Sequence, residues 1–490
     1  KYQGWWIVMN YRKSLISDLR YELDNGNVTS EELFNEANQL AHKYQATYNS
    51  FVTICDKCKI KKRTSPLAGI PYALKDNIST SNILTTASSN ILKNYVPVYD
   101  ATVYKKLKNA GAVLVGKTVL DELAMGGTGT TGHTGIVRNP YDVTREIGGS
   151  SAGSAAAVSL GIVPFALGSD TGDSIRKPAA FGGVVGFKPT YGLVSRYGLF
   201  AFASSLDHVG CFARSVKDVA TVINTIKGYD IHDMTTYQDD SDLLENIDEP
   251  LAGKKLFYIK EIVDRSLYDT DDKELMEVLD NFYSLLERLK TRGAEVVEVS
   301  IDKALLEAIY PTYMTISCAE ATSNNSNLTG IAFGNRVNKD DVNSLIIATR
   351  TEGFSELIKR RFVLGSYILQ KENQEKLYLN ACRVRRLLVE KLTELFTTYD
   401  GLILPCSGGA APKFSDATDK LSDKYLLLEN HMALGNFGGF PSITIPSGFV
   451  SDCPIGINIT SGIKEDKKVL NIANEIEKLT GLKGQIGGEE

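Results

Sequence analysis

The chain has 490 residues, 43% apolar and 23% charged, the make-up of a globular protein with enough length for a large core. A net charge of −5 argues against unaided binding of nucleic acid, so any RNA contact has to come from a local patch or a partner. No apolar run is long enough to span a membrane, and seven scattered cysteines fit a reducing cytoplasm.

Residues 1–8 (KYQGWWIV) precede Met9, which reads as the natural start, so they are expected to be an upstream or cloning-derived extension. Helical spacing follows over 10–24 and 30–45, the second opening with a Thr29-Ser30-Glu-Glu capping signal. Cys55-Asp-Lys-Cys58 is a lone CxxC with no second half, so no metal site is expected. Then come strand 68–74, helix 101–111, strand 112–116, a short helix over 119–125, helix 152–160, strand 162–168 and an amphipathic helix over 215–229. An acidic loop covers 237–253, followed by strand 255–259, helix 272–292 and strand 295–299. The last third holds a helix near 380–398, strands 402–405, 442–446 and 455–459, and a final helix over 467–480.

Alternating β and α elements with apolar, β-branched strands predict an α/β fold: a large mixed, mostly parallel sheet covered by helices on both faces. Residues 9–490 are expected to form one domain, with 237–380 decorating its catalytic core. Gly111-Ala-Val-Leu-Val-Gly-Lys117-Thr118 fits the phosphate-loop pattern. Its interior AVLV reads as a strand and the residues before Gly111 as a helix, so a nucleotide site is not expected there.

The chemistry concentrates in two Gly/Ser loops, Gly148-Gly-Ser-Ser-Ala-Gly-Ser154 and Gly168-Ser-Asp-Thr-Gly-Asp-Ser174-Ile-Arg176. Glycines there can leave backbone N–H groups free to face an oxyanion. Serine beside glycine is otherwise a turn or helix N-cap residue, the role expected of Ser151 and Ser154. None of the five histidines lies in a setting that suggests a triad base. Lys75, ending the apolar run of Gly69-Ile-Pro-Tyr-Ala-Leu-Lys75-Asp-Asn77, is either a lysine snorkelling at a strand end or a buried amine able to serve as a base. Asp170 and Arg176 read as a structural pair bracing the second loop.

Together GGSSAGS, GSDTGDSIRKPAAFGGVVGFKPT and ALKDN resemble the amidase signature family, which uses a Ser–cisSer–Lys triad. The resemblance implies Ser174 as nucleophile, Ser150 as the bridging cis-serine and Lys75 as base, with backbone N–H groups of Thr171, Gly172, Asp173 and Ser174 as the oxyanion hole. DELAMGG (121–127), 188–207, 352–367 and the tail 484–490 are similar to the glutaminase subunits of glutamyl-tRNA(Gln)/aspartyl-tRNA(Asn) amidotransferases. That resemblance implies glutamine as substrate, subunits B and C as partners, aminoacyl-tRNA reached through the complex, and no cofactor in this chain, with ATP and Mg2+ used on the partner. Arg361 (Arg360 as fallback) would hold the substrate α-carboxylate, Glu429 its α-ammonium, and Tyr313 would line the pocket.

The sequence departs from that pattern at Ala152, Asn458 and His208, at Glu429 where aspartate is usual, and at Asp173 where glycine is usual. A carboxylate about 5 Å from a developing oxyanion, at an effective dielectric near 20, opposes it by roughly 3 kcal/mol, about a hundredfold in rate, unless it points away or meets a cation. Two other readings stay open: a free-standing amidase for a small or uncharged amide, and a catalytically weakened assembly subunit.

Overall fold

Eleven strands join into one sheet in a computed structural model that describes residues 10–57, 63–416 and 421–488. They are β1 Phe51–Ile54, β2 Pro71–Lys75, β3 Val113–Thr118, β4 Phe165–Asp170, β5 Val185–Lys188, β6 His208–Ala213, β7 Lys255–Ile259, β8 Glu295–Val299, β9 Gly401–Pro405, β10 Ser442–Val450 and β11 Cys453–Thr460. Their order is β1-β3-β2-β4-β6-β5-β10-β11-β9-β7-β8. Every residue of β2, β4, β5, β6, β9 and β11 is buried. Because side chains alternate between faces along a strand, burial at every position means that both faces of the sheet are covered.

The sheet is mixed, as expected, but not mostly parallel. Only β2–β3, β2–β4, β7–β8 and β7–β9 pair in parallel, and the other six pairings are antiparallel. Buried apolar strands report helical cover, and that cover is indifferent to strand direction. The β10–β11 hairpin illustrates the local control: Ser451 and Asp452 both take positive φ (51° and 57°), the two-residue turn whose twist matches the flanking strands. Residues 237–380 supply β7 and β8 to one edge of this same sheet.

Most expected elements stand close to their predicted places, β7 and β8 on the same residues. The helix expected over 119–125 is not there. Only a 3-10 turn, Glu122–Ala124, forms, and Leu123 lies at φ 52°. The preceding Asp121 turns the chain back by gathering the N–H groups of Thr128, Gly129, Thr130 and Thr131 on its carboxylate. Ser151 and Ser154 do not cap helix Ala152–Ser159 with their side chains; Ser154 Oγ instead donates to the Leu167 carbonyl at 2.9 Å. Met9, the residues before it and Cys58 lie outside the described residues.

The phosphate-loop pattern is spent on structure. Gly111 ends helix Thr102–Ala110 in the left-handed region, and the rest is β3. Lys117 is fully buried, donating to the Ile78 carbonyl (2.8 Å), Thr80 Oγ1 (2.9 Å) and Thr85 Oγ1 (2.7 Å), with Asp76 Oδ1 3.5 Å away. Removing one partner of a buried ion pair typically costs about 3–5 kcal/mol, and Lys117→Ala should lose that much in urea denaturation. Burial raises the Asp76 pKa, with Lys117 pulling it down. Without Lys117 the carboxyl stays protonated to higher pH when folded than when unfolded. The loss should therefore grow as pH rises above the ordinary carboxylate range, and a loss independent of pH would show that Asp76 is not the group left unpaired.

Candidate active site

Lys75, the last residue of β2, enters the interior among hydroxyl groups and is inaccessible to solvent. Its Nζ lies 2.7 Å from Ser150 Oγ, 2.8 Å from Ser151 Oγ and 2.9 Å from Ser169 Oγ. Asn77 Nδ2 donates to Ser169 Oγ at 3.0 Å, and Ser151 Oγ donates to the Ser169 carbonyl at 3.0 Å, which fixes the cradle. Burial lowers the Lys75 pKa to about 7, with Asp121, Asp170 and Asp207 pulling the other way. At neutral pH a substantial fraction is therefore free amine, able to take a proton from a hydroxyl at this distance.

The Gly149–Ser150 peptide is cis. Gly149 is hemmed in: a Cβ there would stand 2.0 Å from Asp121 Oδ2 and 3.0 Å from the Gly129 nitrogen. The Asp121 N–H donates to the Ser150 carbonyl (3.1 Å), so one aspartate holds both the 121–131 turn and the serine loop. Asp121 opens the DELAMGG stretch that carries part of the resemblance, but nothing in the sequence pointed to this bracing role.

Ser174 is buried in the loop after β4, and its carbonyl accepts the Ser151 N–H at 3.2 Å, tying the two serine loops together. No hydrogen bond joins Ser174 Oγ to Ser150 Oγ. The N–H groups of Gly172, Asp173 and Ser174 meet no backbone acceptor among the described residues. Beneath this loop lies the expected Asp170–Arg176 pair, fully buried and bidentate at 3.1 and 3.0 Å. Arg176 also donates to the Gly172 carbonyl (2.8 Å), the Met432 carbonyl (2.7 Å) and Asn436 Oδ1 (2.6 Å). Burial works against the Asp170 carboxylate, but Arg176 outweighs it and holds the carboxyl well below the usual range.

Histidine plays no part in this cluster. His208 and His431 are buried, and burial drives both toward the neutral form, His431 to about 4. Their ring nitrogens go to the Leu206 carbonyl (2.6 Å) and the Pro405 carbonyl (2.8 Å).

Of the residues expected to bind substrate, Tyr313 meets the loop that carries Ser174. The Tyr313 ring packs on Gly172, where an added Cβ would approach Tyr313 Cε2 to 2.9 Å. Arg361 lies over the Phe202 ring, 5.7 Å from its centroid, with Nη1 3.9 Å from Met314 Sδ. Its Nε is buried without a hydrogen bond, and among the described residues no carboxylate pairs with it. Arg360 is exposed. Glu429, in contrast, is already engaged: Lys177 Nζ lies 3.1 Å from Oε2 and the Gly408 N–H donates to Oε1 at 2.7 Å. Asp173 also meets Lys177, at 3.3 Å, so the cation that would relieve its repulsion of an oxyanion is present.

Residues 30–470 match the amidase family model. The glutamyl-tRNA(Gln) amidotransferase A-subunit of Pseudothermotoga lettingae is 41% identical over 89% of this chain and 91% of its own, and that of Lactobacillus gasseri 38% over 96% and 97%. The crystal structure of the Thermotoga maritima A-subunit superposes with a TM-score of 0.79 at 37% identity, covering 96% of this chain and 95% of that one. Native peptide amidase from Stenotrophomonas maltophilia, 26% identical, gives 0.80 over 96% and 98%. The matched span contains the whole serine–lysine cluster, and the chain belongs to the amidase family.

Proposed function

We propose that this chain is the glutaminase subunit of a tRNA-dependent amidotransferase. It hydrolyses glutamine and passes ammonia to a partner subunit that converts Glu-tRNA(Gln) or Asp-tRNA(Asn) to the amidated form. The observation that carries the reading is the buried Lys75 amine 2.7 Å from Ser150 Oγ, in a family of amidases and in a cluster without histidine. The relatives named as amidotransferase A-subunits support the biosynthetic context; subunits B and C are the proposed partners, with ATP consumed and Mg2+ used on the partner.

Neutral Lys75 takes a proton from Ser150, which takes one from Ser174 as Ser174 Oγ adds to the amide carbon. The Ser150–Ser174 link closes when substrate is seated, since catalytic hydrogen bonds tighten in the substrate complex. Backbone N–H groups of Thr171 to Ser174 stabilise the oxyanion. Ser150 then returns the proton to the departing ammonia, and water releases glutamate from the acyl-enzyme. Arg361 holds the α-carboxylate: a planar guanidinium that meets no carboxylate among the described residues suits a bidentate anion.

In the complex with its partner subunits the protein should release ammonia from glutamine, and Ser174→Ala should abolish acyl-enzyme formation. Lys75→Ala should be nearly as damaging and Ser150→Ala several orders of magnitude slower, because residues acting as a unit do not contribute additively. Substantial turnover by Ser174→Ala would rule out this mechanism.

The pH dependence follows from Lys75. Its folded pKa is lowered to about 7, so the active, neutral amine grows in as pH rises. Between pH 6 and 8 the neutral fraction climbs from about a tenth to about nine-tenths, and kcat/KM should rise by roughly that ratio and then level off. A rate falling over this interval would show that the protonated amine is the working form.

For Arg361, loss of a charge-assisted contact costs about 2–3 kcal/mol, so Arg361→Ala should raise KM for glutamine roughly 30- to 150-fold. Unchanged kinetics, or better turnover of long-chain amides, would favour a free-standing amidase.

A further inference from the structure

Beside the nucleophile, one lysine spans two carboxylates. Lys177 Nζ stands 3.3 Å from Asp173 Oδ2 and 3.1 Å from Glu429 Oε2, and donates to the Glu429 carbonyl at 2.8 Å. With Gly408 N–H on Oε1, both side-chain oxygens of Glu429 have a donor. The Lys177 side chain is only 13% exposed and those of Asp173 and Glu429 27% and 19%. The pairs therefore sit where attraction is screened less than at an open surface. Burial opposes the lysine's charge, but Glu429 and Asp173 more than offset it, and the ammonium persists.

An α-ammonium approaching Glu429 would meet an ammonium already in contact with that carboxylate. Like charges at such separations repel with the same magnitude as the attraction they compete for. The other side of the site differs: Arg361 has no carboxylate partner among the described residues, and its Nε is buried with nothing to donate to. The cationic side awaits an anion, while the anionic side already holds its cation.

We infer that Lys177 is a specificity-determining residue: it occupies Glu429, so the site selects its amide through the carboxylate and gains little from an α-ammonium. The substrate class is then the ω-monoamides of short dicarboxylic acids. Glutamine is one, and glutaramate, the same molecule with hydrogen in place of the α-ammonium, is another. In each case Ser174 Oγ adds at the amide carbon, the C–N bond breaks and the nitrogen leaves as ammonia with the proton relayed by Ser150, and water then cleaves the acyl–serine C–O bond, giving glutamate or glutarate and free Ser174. The inference rests on the glutaminase reading above.

The test is ammonia release from both amides by the complex with its partner subunits. The wild-type kcat/KM values should lie within about threefold of each other, and Lys177→Gln should shift the ratio toward glutamine by roughly tenfold, because Asp173 and Glu429 then face the ligand uncompensated. Lys177→Arg keeps the cation and should keep the wild-type ratio. Should Lys177→Gln fail to fold, Lys177→Met, which keeps the length of the arm without its charge, decides by the same shift. A wild-type preference for glutamine above about threefold, or no shift toward glutamine in the uncharged Lys177 variant, overturns the inference and shows Lys177 to be a prop for a working ammonium site. Either result leaves the glutaminase reading intact. Hydrolysis of neither amide, by a complex whose Ser174 still cleaves another amide, overturns the glutaminase reading and the inference with it.

Discussion

A lysine amine sealed away from water is the constraint around which this molecule is arranged. Holding Lys75 at a pKa of about 7 against an ordinary value of 10.5 corresponds to roughly 5 kcal/mol taken from folding stability. The sign is that of a depressed base. Between pH 7 and 10.5 the unfolded chain holds a proton that the native protein does not. Native stability therefore rises with pH across that window and is lowest, and flat, below it. The surroundings meet that cost without cancelling its purpose. Three hydroxyl groups give the amine hydrogen bonds and no charge. The carboxylates of Asp121, Asp170 and Asp207 act on it electrostatically, yet each is bound elsewhere: to the 128–131 turn, to Arg176 and to Thr171. A carboxylate in contact would have restored the ammonium and removed the base.

The nucleophile loop depends on a second buried charge arrangement. Arg176 is shared by Asp170, the Gly172 carbonyl, Asn436 and the Met432 carbonyl, so one guanidinium joins the end of β4, the loop carrying Ser174 and the segment before β10. Binding the Gly172 carbonyl from beneath also helps to fix the orientation of the adjoining peptides, whose N–H groups meet no backbone acceptor among the described residues. A buried pair of this kind is weak evidence for net stability. Its worth is positional: it fixes the N–H groups that the proposed mechanism assigns to the oxyanion, and such donors have to be in place before charge develops.

Much of this was legible in the sequence, and the illegible part has physical reasons. Periodicity located the long helix Lys273–Thr291 because a surface helix keeps one apolar side; β7 and β8 were legible as short runs of aromatic and β-branched residues. Strands β5 and β6 carry glycine, lysine, histidine and cysteine inside a fully buried sheet and show no alternation to read. Ser150, Ser174 and Lys75 were grouped by the resemblance of GGSSAGS, GSDTGDS and ALKDN to the amidase signature family, since short motifs keep their local composition; the structure brings Lys75 to Ser150 at 2.7 Å. Ser151, Ser169 and Asp121 were missed for the opposite reason: each is an ordinary residue whose importance arises only when distant segments meet. Lys117 is the converse case, a lysine in a phosphate-loop pattern whose neighbours in space are a strand, two threonines and an aspartate.

Asp173, Lys177 and Glu429 show why departures from a family pattern have to be weighed together. Alone, Asp173 places a negative charge beside the forming oxyanion, and Glu429 extends an acidic arm by one carbon. Lys177, three residues beyond the nucleophile, reaches both carboxylates, and the three side chains together carry a single negative charge. The repulsion that Asp173 would exert is thereby opposed by an ammonium 3.3 Å from its oxygen, and partial burial keeps solvent from screening that compensation away. The same contact that spares the oxyanion also engages Glu429. In the proposed mechanism, protection of the reacting centre and the loss of a free acceptor for an α-ammonium are therefore two effects of one side chain.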